Sequence, residues 1–230
     1  MKIGFDVISD LNLSPEDSFN WEGKATSLYC IIAGNISDEL RTIRQTLLHL
    51  SKFYQGVFYI SGSLEYNNVI DIDKRTSELQ KICRGVKNTA YLHHHVVIID
   101  GIAIAGANGW YGNTVPTDFD SEQAIENARH EDLSYLKSTL ERLQKHLDVK
   151  SVILVSNSVP GPVLYFGEEP ETTVTQLSLD MVLPVDTEKK VTHWVYGTYR
   201  KIVDTHINGI NYINNSYFGR KPYWAKRIEV

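Results

Sequence analysis

The chain has 230 residues, a length suited to one substantial domain, 1–230, with a well-buried core. Acidic residues outnumber basic ones, 28 to 23, and the net charge of −5 offers nucleic-acid backbones and anionic lipid no global attraction. Cys30 and Cys83 stand at unrelated positions, make neither a disulfide framework nor a zinc knuckle, and read as reduced core thiols of a cytoplasmic protein.

Apolar, β-branched runs alternate with amphipathic stretches along the chain, the pattern of βα units. Residues 2–9 read as a strand that ends in Ser9-Asp10-Leu11-Asn12; no basic, apolar leader precedes it and no run is long enough to span a bilayer, so no membrane association is expected. A second strand, 27–33, ends in Gly34-Asn35. Ser37 then reads as the N-cap of a helix over 37–53, with Leu40, Ile43, Leu47, Leu48 and Leu50 on one side. The strand over 57–61 ends in Gly62-Ser63-Leu64-Glu65, and a second helix covers 71–84.

Residues 90–105 read as two strands joined by Asp100-Gly101, a dipeptide that accepts the positive φ of a tight hairpin. The longest helix is predicted over 121–146, with Leu133, Leu136, Leu140, Leu143 and Leu147 at helical spacing. The strand 152–155 ends in Ser156-Asn157-Ser158. Prolines 160, 162 and 170 mark 160–184 as an irregular excursion with a short helix over 173–181. The strand 192–196 ends in Gly197-Thr198-Tyr199-Arg200, and strands 201–207 and 210–214 form a hairpin on Asn208-Gly209. Arg220, Lys221, Lys226 and Arg227 read as a solvated face. The tandem predicts an α/β fold in which two sheets pack face to face with helices outside.

Five strands thus end in small polar clusters, and the carboxyl ends of adjacent buried strands are where α/β proteins place their sites. The nucleophile elbow Gly-x-Ser-x-Gly and the phosphate-binding Gly-x-x-x-x-Gly-Lys-Ser/Thr are both absent. Gly106, Gly109 and Gly112 read as close packing around Trp110 rather than as a dinucleotide loop. The histidines fall elsewhere: His49, His130 and His146 on helices, His193 and His206 within strands, and His93-His94-His95 on the hairpin. On an extended segment only His93 and His95 would share a face, and two imidazoles do not complete a zinc set. Glu65 reads as a turn cap or a solvated carboxylate, with general-base chemistry as the sharper alternative.

Taken in order, the clusters resemble the calcineurin-like metallophosphoesterases, whose members carry Asp-x-His, Gly-Asp, Gly-Asn-His, a later histidine and Gly-His-x-His. The frame, including 101–110, matches from residue 2 to about 214, and the resemblance implies a four-layer αββα fold. The ligands do not match. Asp10 fits the first aspartate, but Asn12 stands where a histidine belongs and Asn35 where the bridging aspartate belongs. Ser63 replaces a ligand asparagine and Leu64 the catalytic histidine. Asn157, Thr198 and Arg200 take the places of the remaining histidines.

The family chemistry uses two dications about 3.8 Å apart, which repel by roughly 17 kcal/mol at an effective dielectric of 20. A bridging carboxylate offsets much of that, and the neutral amide of Asn35 does not. The sequence therefore predicts no cofactor, no metal and no catalytic residue in a vestigial cleft of Asp10, Asn12, Asn35, Ser63, Leu64, Glu65, Asn157, Thr198 and Arg200. Arg200 is expected to neutralise Asp10 as a salt bridge. The expected function is binding or scaffolding of a protein partner, with 13 tyrosines available for adhesive surface and a homodimer as the commonest assembly. Two alternatives stand beside it: a phosphodiesterase or phosphatase with a rearranged or single-metal site recruiting Asp10, Glu65 and His93 or His95, and a nucleotide or anion sensor binding in the vestigial cleft through Arg200. Coordinated loss of ligands fits an accessory gene of viral or mobile-element type.

Overall fold

A computed structural model describes residues 2–67, 69, 71–110, 119–165, 178–219 and 222–230, and the side chains among them except those of 119–122. Strands β1 (Gly4–Ile8), β2 (Tyr29–Ala33), β3 (Gly56–Ile60) and β4 (Thr89–Tyr91) pair in parallel. With β11 (Lys226–Glu229) antiparallel on the outer edge of β1, they form a sheet of order β11-β1-β2-β3-β4. The second sheet takes β5 (His95–Ile99), β6 (Ile102–Gly106), β7 (Ser151–Ser156), β8 (Val191–Tyr196), β9 (Val203–Ile207) and β10 (Ile210–Asn214) in the order β5-β6-β7-β8-β10-β9.

Side chains alternate across each strand, and both faces of both sheets are apolar, which divides the core into three slabs. Phe5, Val7, Ile31, Phe58 and Ile60 of the first sheet meet Ile104, Ile153, Val155, Val195 and Ile213 of the second. The other face of the first sheet, Ile8, Cys30, Ile32, Val57 and Tyr59, packs on Ile43, Leu47, Leu50, Leu79 and Cys83 of helices α1 (Leu40–Leu50) and α2 (Ile72–Arg84). On the far side Ala103, Val152, Leu154 and Trp194 pack on Leu136, Leu140 and Leu143 of α3 (Phe119–Lys145). Each buried branched side chain contributes about 1.5–3 kcal/mol, so the three slabs dominate the folding energy. The result is the expected two-sheet αββα sandwich.

Several local expectations change. α1 starts after Glu39, and Ser37 lies outside it, its hydroxyl donating to the Leu13 carbonyl at 2.7 Å. The apolar stripe of α3 stops at Leu143; Leu147 lies past the helix and is 85 % exposed. The stretch predicted as two strands over 90–105 is three, because β4 belongs to the first sheet while β5 and β6 belong to the second. The Asp100-Gly101 and Asn208-Gly209 turns form as expected, with φ of 46° and 82°, and 51° and 86°. The short helix expected over 173–181 lies mostly outside the described residues; Leu179–Val185 is a 3₁₀ helix. Gly112, Arg220 and Lys221 also lie outside them, while Lys226 and Arg227, read as a solvated face, enter strand β11.

Candidate functional site

The ends of β1, β2, β3, β7 and β8 meet where the two sheets face each other, and their polar clusters interlock. The backbone there is unusual: Asp10, Asn12, Asn35 and Thr198 have φ of 54°, 47°, 57° and 58°. Asn and Asp tolerate this left-handed region, but Thr198 is β-branched, and holding it there costs on the order of 1–3 kcal/mol. Such a conformation persists only where the surroundings over-determine it.

Asp10 is wholly buried and its carboxylate is saturated by neutral donors. Asn35 Nδ2 donates to Oδ1 at 2.7 Å, the Thr198 amide donates to both oxygens at 3.0 and 3.1 Å, and the Ser216 hydroxyl donates to Oδ2. Burial raises the Asp10 pKa, and these donors pull it back. Arg200 is exposed, and no ion pair joins it to Asp10 among the described residues, so the expected salt bridge does not form. Hydrogen bonds to the anion take its place, which removes the need to bury a guanidinium.

Asn35 lies at the centre of the network. Its Nδ2 also reaches Thr198 Oγ1 at 3.3 Å, and its Oδ1 accepts the Leu64 amide at 2.9 Å. Asn157 Oδ1 accepts Thr198 Oγ1 at 2.6 Å and the Ser63 amide at 3.2 Å, while its Nδ2 donates to the Ala33 carbonyl at 2.9 Å. Asn12 is exposed and turned back on the loop, its Nδ2 donating to the Asp10 carbonyl at 3.0 Å. Ser63 and Leu64 enter through backbone amides, and their side chains are half-buried.

Glu65 is wholly buried and ties two loops together. It accepts from the amides of Gly62 (2.7 Å), Ile36 (2.7 Å) and Asn35 (3.1 Å) and from the Tyr59 hydroxyl (2.8 Å). Burial raises its pKa against those donors. Its burial excludes the solvated reading, and its bond to the Gly62 amide is that of a turn cap. Ser216, Tyr59 and Asn108, whose Nδ2 holds the Ser61 carbonyl at 3.0 Å, belong to the same network and were not anticipated. Ser216 had a signal in the sequence: Asn214-Asn215-Ser216 is a sixth polar cluster ending a strand.

Two dications do not fit this donor set. Of the side chains present only Asp10 and Glu65 are anionic, and both already spend their oxygens on internal donors. The space is also filled: a Cβ added at Gly34 would stand 2.5 Å from Asn157 Nδ2 and 2.8 Å from the Gly62 amide.

The histidine triplet departs further from expectation. It sits at the crossover between sheets, and His94 takes φ 50°, which breaks the alternation assumed for an extended segment. His95 is exposed, whereas the rings of His93 and His94 stack with centroids 4.2 Å apart. Asp132 of α3 completes the group, its Oδ1 lying 2.6 Å from His94 Nε2.

Comparison with solved structures recovers the same architecture. Phosphopantetheinyl hydrolase from Mycobacterium tuberculosis superposes with a TM-score of 0.69 at 18% identity, covering 99% of this chain and 96% of that one. The fold is metallophosphoesterase-like. A protein described as a 5′-nucleotidase from Staphylococcus aureus gives a TM-score of 0.61 at 10% identity, covering 100% of this chain and 51% of its own. The anchor protein of the Plasmodium inner membrane complex gives 0.54 at 10%, covering 93% and 71%. No family model matches the sequence. An uncharacterized protein of Acanthamoeba polyphaga mimivirus is 24% identical over 119 residues, a match spanning 45% of this chain and 42% of the relative's length. No helix among the described residues is long and apolar enough to cross a membrane.

Proposed function

We propose that this protein is a phosphoesterase-fold binding protein whose cleft has given up dinuclear metal catalysis and which acts by engaging a protein partner. The observation that carries this reading is the amide of Asn35, which donates to Asp10 at 2.7 Å and accepts from Leu64 at 2.9 Å. A bridging carboxylate at that position would repel Asp10 unless cations lay between them; an amide neutralises the need for any. The left-handed loops remain while the ligands are gone, so the frame has outlived its chemistry.

Support for a partner comes from the rim. Phe218, whose amide faces the Asp10 carbonyl at 3.4 Å, is 37 % exposed, and Ile202, two residues past Arg200, is 57 % exposed. Apolar side chains beside a filled polar cleft are better placed for a protein surface than for a phosphate ester. The Plasmodium anchor shows that a protein of this fold is described by an anchoring role. Similarity to a mimivirus protein fits an accessory viral gene.

Two assays test the reading. Wild-type protein and Asp10→Ala, given manganese and an activated phosphodiester, should hydrolyse it at indistinguishable background rates; turnover that Asp10→Ala abolishes would make the protein an enzyme. Affinity purification from the native host should recover a stoichiometric partner that Phe218→Asp/Ile202→Asp loses. Stabilisation by a nucleotide instead, lost on changing Arg200, would replace the partner with a small anion.

A further inference from the structure

Away from the cleft, the crossover between the two sheets brings together donors that the fold alone does not require. We propose that His93, His94 and Asp132 form a mononuclear site for a borderline first-row dication, with zinc the fitting ion. One ligand atom from each lies within 4.8 Å of the others. Two imidazoles and a carboxylate suit zinc-class ions, whereas magnesium and calcium take oxygen sets.

Three observations point to a ligand. First, His93 Nδ1 is buried and has no hydrogen-bond partner among the described residues. Burying such a group unsatisfied costs about 1–3 kcal/mol, a cost that a metal ion bound at this nitrogen would remove.

Second, Asp132 is wholly buried on the apolar stripe of α3, four residues before Leu136 and eight before Leu140. An unneeded carboxylate there would be costly. Its Oδ2 is fixed by the Gly109 amide at 2.6 Å, which aims Oδ1 at the histidines. That is the way a ligating carboxylate is oriented by its outer partners.

Third, the 2.6 Å contact between His94 Nε2 and Asp132 Oδ1 is a hydrogen bond whose two ends are both potential ligands. Zinc bonds of about 2.0–2.1 Å in a tetrahedron set ligand atoms roughly 3.3 Å apart. Replacing the shared proton with the ion therefore opens this contact by less than about 1 Å. The His93 and His94 rings lie 16° from parallel, and imidazole lone pairs lie in the ring plane, so one ring must turn to converge on the metal. His94, with a side chain 30% exposed, has room to do so, and the same opening admits water as a fourth ligand.

The proposal is independent of the cleft, and its test keeps the two apart. Untagged protein stripped with a chelator is titrated with zinc alone, and metal content is measured after gel filtration. One equivalent should bind in wild type and equally in Asp10→Ala. Affinity should fall at least ~100-fold in His94→Gln and in Asp132→Asn, with circular dichroism confirming that each is folded. In wild type, zinc should shift the imidazole ¹⁵N resonances of His93 and His94 and leave His95 unmoved. This second readout decides the matter if a variant does not fold. No binding at about 1 mM zinc, binding unchanged in His93→Gln/His94→Gln, or shifts confined to other histidines would each overturn the site.

Discussion

Two polar corners of this molecule differ in how fully their buried groups are hydrogen-bonded. At the cleft every anionic oxygen of Asp10 and Glu65 has donors, and the amides of Asn35 and Asn157 use both ends. At the crossover a buried imidazole nitrogen has no hydrogen-bond partner among the described residues, and it lies beside a buried carboxylate and a second imidazole. Buried polar groups are as a rule satisfied, so the first corner reads as architecture and the second as a candidate ligand site. Having polar residues at strand ends does not distinguish the two. Saturation does.

The sharpest way to break that contrast is to introduce a second acid at the centre of the cleft. Asn35→Asp sets a second carboxylate beside Asp10, where the amide nitrogen now stands 2.7 Å from Oδ1. An uncompensated buried charge costs about 3–5 kcal/mol, and urea unfolding at neutral pH should show a loss of that order. Manganese should not restore it, because the other ligands are missing. A metal-dependent recovery of the unfolding midpoint would mean that the cleft is one substitution away from a working site and that its saturation is incidental.

Filling the cleft tests its closure more gently. Gly197→Ala drives a Cβ into the Ala33 carbonyl and to 2.8 Å from Asn157 Nδ2. Backbone on one side and a doubly bonded amide on the other cannot retreat, so a loss of about 1–3 kcal/mol is expected from overpacking. A neutral effect would show hidden free volume.

Glu65 carries a pH signature with a definite sign. Burial raises its pKa above the ordinary 4.5 and that of Asp10 above 3.8, so the folded state retains protons that the unfolded chain releases. Stability then falls as pH climbs from those values through the raised ones and is level above them. Glu65→Gln should flatten part of that limb and cost about 1–3 kcal/mol at neutral pH, because a carboxamide cannot accept from all three amides. Denaturant midpoints measured from acid to neutral pH check both; an unchanged slope would place the titration elsewhere.

The sequence was legible wherever one period dominated. Strand ends at Ala33, Ile60, Ser156 and Tyr196 follow from apolar runs stopped by Gly, Asn and Ser, and the two hairpins follow from Asp-Gly and Asn-Gly. It was illegible where a partner came from far along the chain. Nothing near 93–95 says that β4 and β5 belong to different sheets, and without that crossover His94 is not expected at positive φ. β11 escaped notice because four residues on a sheet edge, with only Ile228 buried, carry little apolar pattern. Asp132 did leave a trace, a charged residue on the buried stripe of a long helix. The Asp10 and Arg200 pairing failed for a different reason: opposite charges imply attraction, but desolvation decides whether they meet.

The smallest predicted effect follows from that last point. If hydrogen bonds from Asn35, Thr198 and Ser216 suffice to hold the Asp10 anion, Arg200 owes nothing to the stability of the cleft. Arg200→Ala should then change the free energy of unfolding by no more than about 1 kcal/mol, the range of an exposed charge. Asn35→Ala supplies the contrast, since it strips Asp10 of a donor inside the core. A loss on changing Arg200 as large as that on changing Asn35 would put the guanidinium back against Asp10 and turn the neutral seal into a charged one.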